Sequence, residues 1–371
     1  MITRKEYEKR EALWLAPFAI KSAESRGRKY PEKEHDYRTA FQRDRDRIIY
    51  STAFRRLEYK TQVFVNHEGD HYRTRLTHTL EMTQIARTIG RALALNEDLI
   101  EAIALAHDLG HGPFGHAGQA ALGTLMKKHG GFEHNRQCLR IVEELEDSYA
   151  NFPGLNLTFE VREGLKKHQL KSFSSLEAQI VDLADEIAYD SHDLDDGIRA
   201  GYLVHKDLNQ LSLWRKTCSY LEEKKCSLDE PSGRRAAIRL LINRQVSDLL
   251  TTIEKNLSKI KKSNLEAIRR NAVQIVQFSD GMRVQKKELK LFLHRELYNH
   301  YRVVRMTDKG QRFIQELFHV YLKKPAQLPP NIRRRLKKDA PERVICDYIA
   351  GMTDRYALDE YKRLFDPYER V

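Results

Sequence analysis

The amino-acid sequence predicts a mainly α-helical fold. Apolar residues recur at intervals of three and four over most of the chain, and this is the period of an amphipathic helix. Clear examples are the stretches 82–93, 100–104 and 176–187. With 371 residues, the chain is long enough for one large domain or two ordinary ones, so it can enclose a buried site.

Three stretches depart from the helical period. In TQVFVNHEGDHYRTR, residues 61–75, short β-type runs flank a Glu-Gly-Asp turn, and this pattern predicts a small hairpin just before His78. The polar segment 222–235 is predicted to be an exposed loop. The segment KKPAQLPPNIRRRLKK, residues 323–338, is typical of a rigid linker that leads into a basic helix.

The charge balance and the cysteines narrow the class of protein. The 65 Lys and Arg residues against 53 Asp and Glu residues give a net charge of +12, which suits an anionic partner such as a nucleotide, a nucleic acid or a membrane surface. The four cysteines are scattered without a C-x-x-C pair, so we interpret them as reduced cytosolic thiols. The N-terminus is too charged for a signal peptide, and no apolar run approaches the ~18 residues of a membrane span. We therefore expect a cytoplasmic protein.

A histidine-rich stretch, ALAHDLGHGPFGHAG at residues 104–118, is the strongest chemical signal. Neutral imidazoles and carboxylates both offer lone pairs to Mn, Fe, Co, Ni or Zn and, less comfortably, to Mg. His107 and Asp108 end a predicted helix, where the glycines stop the helix and let backbone and substrate approach an ion closely. His78 at the start of another helix and Asp185 within a later one complete a metal-ligand set. Taken alone, the motif also fits a helix-capping cluster.

The predicted helix 176–196 carries acidic residues along one side, at helical spacing. Asp182, Asp185 and Asp193 share that side with Tyr189. A solvated acidic stripe is the ordinary interpretation of such a pattern. The same helix is rich in apolar residues, however, and buried carboxylates need a cation or hydrogen-bond partners. A bound metal ion would supply the cation.

These motifs resemble, in order along the chain, blocks of the HD-domain metal phosphohydrolases and, within them, of the deoxyguanosine triphosphate triphosphohydrolase-like family. The resemblance covers about residues 25–365, through RDRDRIIYSTAFRRLEYKTQVF, TRLTHTLEMTQIAR, HDLGHGPFGHAG, GGFEHNRQ, DLADEIAYDSHDLDDG and DYIAGMTDRYA. It implies an all-α enzyme with an HD-domain helical core, a small β-hairpin and a helical C-terminal region. The implied catalytic core with its N-terminal arm spans residues 1–200, and residues 201–371 complete the substrate site.

The implied reaction is the hydrolysis of a dNTP, dGTP or another, to a deoxynucleoside and inorganic triphosphate. The resemblance assigns one divalent metal ion (Mn, Mg, Fe, Co, Ni or Zn) to the ligands His78, His107, Asp108 and Asp185. It places His116 and His134 around the attacking water and the leaving oxygen. The implied substrate contacts are Arg75, His111 and Lys290 for phosphate, Gln62 and Asp193 for the sugar 3′-OH, Tyr189 against the sugar, and Tyr298 and Asn299 near sugar and base.

Two departures from the family pattern change what we expect. Gln119 stands three residues after His116, where the family pattern has an acidic residue that raises the basicity of the imidazole, so we expect His116 to be a weaker base. Where a vertebrate relative binds an activating guanine nucleotide with Asp, Gln and Arg, this chain has Tyr50, Arg55 and Glu58. We therefore do not expect activation by that nucleotide.

Two other functions fit the same sequence. One is a two-metal HD phosphodiesterase, with His134 and His168 as the additional ligands. The other is a nucleotide-sensing or nucleic-acid-binding protein with weak activity, which Gln119, the net charge and the basic run RRRLKK suggest. The expected partners are a dNTP substrate, an effector nucleotide, further copies of the chain in a homo-oligomer with a hexamer as the suggested size, and single-stranded nucleic acid. A membrane partner is not expected.

Overall fold

A computed structural model describes residues 1–62, 73–166, 175–228, 230–260, 268 and 275–370. These residues form helices and short turns, which confirms the helical prediction. Among them there is no β-strand, and the β pairing consists of two isolated antiparallel bridges, Arg28 with Thr158 and Thr61 with Thr74. The predicted hairpin is not supported, because residues 63–72 lie outside the described residues and their flanks show that single bridge.

The α-helices follow one another along the whole described chain. The first nine are α1 (Arg4–Trp14), α2 (Ala40–Tyr50), α3 (Thr52–Arg56), α4 (Arg75–Ala92), α5 (Glu97–Ala106), α6 (Gly115–Leu125), α7 (His134–Arg140), α8 (Phe159–Gly164) and α9 (Leu176–Arg199). The others are α10 (His205–Leu208), α11 (Ser212–Glu223), α12 (Pro231–Ser258), α13 (Asp280–Phe292), α14 (Tyr301–Lys323), α15 (Pro330–Arg333), α16 (Pro341–Ala350) and α17 (Asp354–Phe365). Two π-helical turns, Ile141–Leu145 and Leu293–Tyr298, continue α7 and α13. None of the helices in the described residues is both long and apolar enough to cross a membrane.

The chain forms two compact units, each built from three separate stretches. Unit 1 consists of Met1–Asp46, His78–Leu105 and Thr158–His300, and unit 2 consists of Arg47–Thr77, Ala106–Leu157 and Tyr301–Val371. Three of the five boundaries fall inside α2, α4 and α5, so each of these helices contributes residues to both units. The division into residues 1–200 and 201–371 stays a prediction.

Helix α9 forms the centre of unit 1. It begins after Ser175, whose side chain accepts a hydrogen bond from the first turn and caps the helix. Helix α12 packs along α9, and the buried amide of Gln245 donates to the hydroxyl of Ser191. Helix α13 joins them through Lys286, which donates to the carboxylate of Asp190 at 2.8 Å and to Gln245 at 2.8 Å. These contacts hold α9 in place through Asp190 and Ser191, outside the side that carries Asp182, Asp185 and Asp193.

The long helix α14 supports unit 2. It packs against α6, α16 and α17 around a shared apolar core, whose largest members include Phe114, Leu122, Ile314, Leu317, Phe318, Ile345 and Ile349. Gly310 lets α14 approach closely, because a Cβ atom at this position would lie 3.0 Å from Cβ of Phe114. Since Phe114 directly precedes α6, the C-terminal helices hold the end of the histidine-rich stretch in place.

Candidate active site

In unit 1, His78 and Asp185 lie side by side on two helices. Nε2 of His78, in the first turn of α4, is 3.1 Å from Oδ1 of Asp185 on α9. His78 is buried, whereas the Asp185 side chain is 28% exposed. An imidazole nitrogen and a carboxylate oxygen at this separation are suitable ligands for one divalent transition metal ion.

Two residues that the sequence analysis did not select extend this pair. Nδ1 of His78 lies 3.1 Å from Nδ1 of His192, and Nε2 of His192 lies 2.9 Å from Oε2 of Glu81. Glu81 follows His78 by three residues on α4, and His192 follows Asp185 by seven residues on α9, so helical spacing was the signal that could have found them. We call His78, Glu81, Asp185 and His192 the α4–α9 cluster.

Further along α9, the structure brings three predicted sugar contacts together. The hydroxyl of Tyr298 donates a hydrogen bond to the carboxylate of Asp193, and Tyr189 also contacts that hydroxyl. Burial, followed by the neighbouring Asp193 and Tyr189, raises the pKa of Tyr298 well above its usual value. The phenol therefore keeps its proton and acts as a donor. Tyr298 ends a π-helical turn, a distortion that is frequent at functional sites.

The other two predicted C-terminal contacts lie on more exposed surface of unit 1. Nζ of Lys290, a half-exposed side chain, is 2.9 Å from Oε1 of Glu186 on α9. The amide of Asn299 donates to the backbone carbonyl of His294 at 2.9 Å. The expected contacts of Lys290 with phosphate and of Asn299 with sugar or base stay predictions.

Unit 2 holds a second cluster, centred on a carboxylate. Oδ2 of Asp108 accepts a hydrogen bond of 2.9 Å from Nη1 of Arg75. Oδ1 of Asp108 lies 3.3 Å from Nε2 of His107 and 3.3 Å from Nε2 of His111. All four side chains are buried. We call Arg75, His107, Asp108 and His111 the loop cluster.

The charges in the loop cluster follow from its burial and its neighbours. Burial alone would raise the pKa of Asp108, but His107, Arg75 and His111 outweigh it and hold that pKa well below its usual value. Burial and then the Arg75 guanidinium lower the pKa of His111 far below its usual value, although Asp108 opposes them. At neutral pH the cluster thus combines an ionised carboxylate, a guanidinium and a neutral His111 imidazole.

The two predicted proton-transfer histidines lie next to this cluster. The ring of His134 stacks on His111 with centroids 4.0 Å apart, and the ring of the exposed His116 meets His111 edge-on at 6.2 Å. The interpretation from sequence made Gln119 the partner of His116. In the structure, Oε1 of Gln119 is 2.7 Å from Nδ1 of His134, and Oε1 of Glu133 is 3.1 Å from the same nitrogen. A carboxylate partner of His134 is therefore its neighbour Glu133.

The histidine-rich stretch follows a strained and crowded path, which explains two of its glycines. A Cβ atom on Gly110 would lie 2.0 Å from the carbonyl oxygen of His134, so no larger residue fits there. Phe114 and Gly115 both have left-handed backbone conformations, with φ of 59° and 56°. Glycine adopts this conformation easily, whereas for the bulky Phe114 it is an outlier that the surroundings must stabilise.

Two buried residues from distant parts of unit 2 supply that stabilisation. Nζ of Lys60 donates to the backbone carbonyls of His111 and, at 3.0 Å, of Ala350. Asp354 accepts from the backbone N–H of Phe114 at 2.8 Å and from both the N–H and the hydroxyl of Thr61. Burial, followed by the charges of two neighbouring arginines, lowers the pKa of Lys60 to about 7. Lys60 and Asp354 thus stabilise the backbone between His111 and Phe114.

The remaining predicted residues differ in their burial, and one of them lies outside the described residues. Gln62 is buried, and its Oε1 has no hydrogen-bond partner among the described residues, so this oxygen is a suitable acceptor for a ligand hydroxyl. Tyr50 and Arg55 are exposed, and Arg55 donates to the backbone carbonyl of Tyr50. His168, the proposed extra ligand of a two-metal site, lies outside the described residues.

Comparison with known proteins links both clusters to one family. Residues 75–190 match the HD domain, and residues 276–363 match the phosphohydrolase-associated domain. The HD-domain match begins at Arg75 and includes every residue of the α4–α9 and loop clusters except His192. The C-terminal match covers the region of Lys290, Tyr298 and Asn299.

Whole-chain relatives agree with these matches. A deoxyguanosinetriphosphate triphosphohydrolase-like protein of Geobacter sulfurreducens is 50% identical over 371 residues, which cover 96% of each chain. A protein with the same description from Geobacter metallireducens is 50% identical, and the match covers 96% of each chain. Another from Ralstonia pickettii is 49% identical, and the match covers 95% of this chain and 94% of the relative. The chain therefore belongs to the deoxyguanosinetriphosphate triphosphohydrolase-like family of HD-domain phosphohydrolases.

Proposed function

We propose that this HD-domain phosphohydrolase converts a dNTP and water into a deoxynucleoside and inorganic triphosphate. The HD-domain match and the relatives of about 50% identity support a metal-dependent phosphohydrolase. The identity of the substrate and of the products is the part that we propose. Because the name of the relatives refers to deoxyguanosine triphosphate, dGTP is the first candidate substrate.

The metal site that we propose has His78, His107, Asp108 and Asp185 as ligands of one ion. The observation that carries this proposal is that α4 bears both Arg75, which binds Asp108, and His78, which binds Asp185. Residues three apart project from the same side of a helix. Two imidazoles and two carboxylates favour Mn, Fe, Co, Ni or Zn over Mg, which prefers an all-oxygen shell.

Two buried nitrogen atoms support phosphate binding in the loop cluster. Nε of Arg75 and Nδ1 of His111 are buried and have no hydrogen-bond partner among the described residues. Burying such polar atoms without a partner is costly, so a ligand that accepts hydrogen bonds stabilises them. Phosphate oxygens are such acceptors, and a guanidinium binds them with charge-assisted hydrogen bonds. In this proposal Lys290 supplies a further cation for the triphosphate.

Hydrolysis requires two proton transfers. The water oxygen bonds to the α-phosphorus as the bond from that phosphorus to the 5′ oxygen breaks. A bound divalent ion supplies Lewis-acid polarisation of the phosphoryl group. In our proposal His134 and His116 take the proton from water and deliver a proton to the 5′ oxygen. Glu133 and Gln119 orient the ring of His134 for this role.

Sugar recognition in this proposal uses the protonated phenol of Tyr298, which follows α13 and donates to Asp193 on α9. The hydrogen bond from Tyr298 to Asp193, with Tyr189 beside it, forms a fixed wall against which a deoxyribose would pack. A 2′-OH would meet this bulky wall, and this favours deoxyribonucleotides over ribonucleotides. We propose that Asp193 accepts the hydrogen bond that the 3′-OH donates, and that Gln62 is the second residue in contact with this sugar edge.

Assembly and partners remain part of the proposal. We expect a homo-oligomer, an effector nucleotide as a second ligand, and a cytoplasmic location. Single-stranded nucleic acid is a further candidate partner because of the net charge of +12. Metal stoichiometry at saturation distinguishes the proposed enzyme from the two-metal phosphodiesterase, since the first holds one ion per chain and the second holds two.

The decisive test is the replacement Asp185→Ala. The purified protein is incubated with each dNTP and Mn²⁺, and the products are separated by ion exchange. We expect inorganic triphosphate and a deoxynucleoside from the wild type, and from Asp185→Ala the loss of both metal binding and activity. The exposed Asp308→Ala on α14 is the matched control and should behave as the wild type. A variant Asp185→Ala that keeps stoichiometric metal would falsify the assignment.

A further inference from the structure

Both ring nitrogens of His78 have a named neighbour. Nε2 faces Asp185 at 3.1 Å, and Nδ1 faces His192 at 3.1 Å. We propose that His192 and Glu81 are positioning residues, which hold the hydrogen of His78 on Nδ1 and thereby keep the lone pair of Nε2 available to a metal ion. The inference rests on the proposed function, because it takes His78 as a metal ligand.

The first step concerns His78 itself. A neutral imidazole carries one hydrogen, so the nitrogen that binds a metal must be the one without it. If Nε2 binds the ion beside Asp185, Nδ1 carries the hydrogen and needs an acceptor. The atom placed to accept it is Nδ1 of His192. This nitrogen can accept a hydrogen bond when the hydrogen of His192 is on its other nitrogen.

The second step is the contribution of Glu81. An ionised carboxylate is an acceptor without a hydrogen to donate, and Oε2 of Glu81 is 2.9 Å from Nε2 of His192. It therefore favours the tautomer of His192 with the hydrogen on Nε2, which leaves Nδ1 as an acceptor. The hydrogen bonds then run in one direction, from His78 to His192 and from His192 to Glu81.

The helices make this arrangement rigid. His192 is buried and follows Asp185 by two turns of α9, while Glu81 follows His78 by one turn of α4. The ring of His78 is thus held at both ends by residues of α9. Hydrogen-bond partners behind a metal-ligating histidine fix its tautomer and ring orientation, and their loss typically weakens metal binding about 10- to 100-fold.

The test compares two replacements of His192 that are close in size. In His192→Gln, the side-chain oxygen can still accept the hydrogen of His78 Nδ1, whereas in His192→Met no comparable acceptor remains. The measurement is the dissociation constant for Mn²⁺ and Co²⁺, obtained by competition with a chromophoric chelator, without nucleotide. We expect His192→Met to weaken metal binding about 10- to 100-fold and His192→Gln to weaken it less than about threefold.

A second pair of variants tests Glu81, whose side chain is 48% exposed and therefore tolerates replacement. In Glu81→Lys the acceptor becomes a donor, which favours the opposite tautomers of His192 and His78, so we expect a loss of metal affinity of about 10-fold or more. Glu81→Gln keeps a carbonyl acceptor and should retain most of the affinity. Gln84→Lys, one turn further along α4 and also exposed, is the control for the added charge.

The outcomes separate the two proposals. Thermal unfolding in excess chelator shows that each variant is folded before its metal affinity is compared. If His192→Met binds metal as tightly as the wild type, or if His192→Gln and His192→Met lose the same affinity, the inference is overturned while the metal site stands. If the wild type itself binds no divalent ion, both the inference and the proposed function fail.

Discussion

The α4–α9 cluster and the loop cluster differ in how their ligand-type side chains are held. In the α4–α9 cluster, His78 and Asp185 sit on long helices, and their neighbours lie one or two turns away on the same helices. Asp185 and Glu81 also reach solvent. In the loop cluster the carboxylate of Asp108 is buried and paired with the buried Arg75. Asp108 itself lies on turn backbone after the end of α5.

Because of this difference, loss of a charged partner should affect the free energy of unfolding differently in the two clusters. A partly exposed carboxylate can lose its partner and be solvated by water. A buried charge that loses its partner has no such alternative, and the cost appears in the free energy of unfolding. Asp185 and Glu81 in the α4–α9 cluster can therefore be replaced with little change in the free energy of unfolding, whereas the charges of the loop cluster also support the fold of unit 2.

The largest expected effect is the difference in stability between variants that lose a carboxylate from each cluster. Replacing Asp108 by Ala leaves the guanidinium of Arg75 buried and without its carboxylate, so we expect the free energy of unfolding to fall by about 3–5 kcal/mol. Asp185→Ala should lower it by less than about 1 kcal/mol, because its side chain is partly solvated. Urea unfolding in excess chelator measures both values without a contribution from metal binding.

A double variant serves as the control for this prediction. In Arg75→Met with Asp108→Leu both charges are removed together, so the buried pair is replaced by apolar groups of similar volume. The double variant should then be more stable than Asp108→Ala, since no charge stays unpaired. Equal destabilisation by Asp108→Ala and Asp185→Ala would show that the two clusters do not differ as described.

The next effect concerns Lys60, the buried amine that holds the backbone of the loop. Its pKa of about 7 in the folded protein lies below the usual 10.5 of an unfolded chain. Between these values the unfolded chain binds one more proton at this residue, so the free energy of unfolding rises with pH by up to about 1.4 kcal/mol per unit. Well below pH 7 the residue is charged in both states, and its contribution no longer changes with pH.

Lys60→Met should therefore remove this pH dependence. We expect the difference in free energy of unfolding between wild type and variant to be flat near pH 6 and to shift in favour of the wild type from pH 7 to 9, as urea unfolding at a series of pH values would show. The exposed Lys338→Met should follow the wild type throughout. Parallel curves for wild type and Lys60→Met would contradict the assignment of the shift to this lysine.

The same contrast explains how much the sequence could predict. Helical periodicity identified α9 and placed Asp185, Tyr189 and Asp193 on one side, because the spacing of residues in a helix fixes the direction of their side chains. The same rule applied to His78 and Asp185 would also have found Glu81 and His192. Side chains that lie together on one side of a regular helix can thus be predicted from their spacing in the sequence.

The supports of the loop could not be predicted in this way. Lys60 lies 51 residues before His111, and Asp354 lies 240 residues after Phe114. No local pattern links residues so far apart when the contact is made by tertiary folding. The same limit applies to Gln119, whose 2.7 Å contact with His134 on the following helix does not follow from spacing along one helix.

The smallest expected effect concerns the histidines next to the loop cluster and is tested with the replacement Gln119→Glu. A carboxylate at this position would lie beside Nδ1 of His134 and stabilise the positive charge that the imidazole gains when it accepts a proton. Because Glu133 already contributes a carboxylate at 3.1 Å and is partly exposed, the added interaction should be worth no more than about 1 kcal/mol. We therefore expect dNTP turnover to rise by about two- to fivefold, with metal affinity unchanged.

Comparison with Glu133→Gln shows whether the effect passes through His134. That variant removes the existing carboxylate, so turnover should fall, and Gln119→Glu in the same chain should restore it, because the new carboxylate lies beside the same nitrogen. Steady-state release of inorganic triphosphate from pH 6 to 9 measures all four proteins. If Gln119→Glu changes neither the wild type nor Glu133→Gln while His116→Ala is inactive, proton transfer depends on the exposed His116, and His134 serves to position His111.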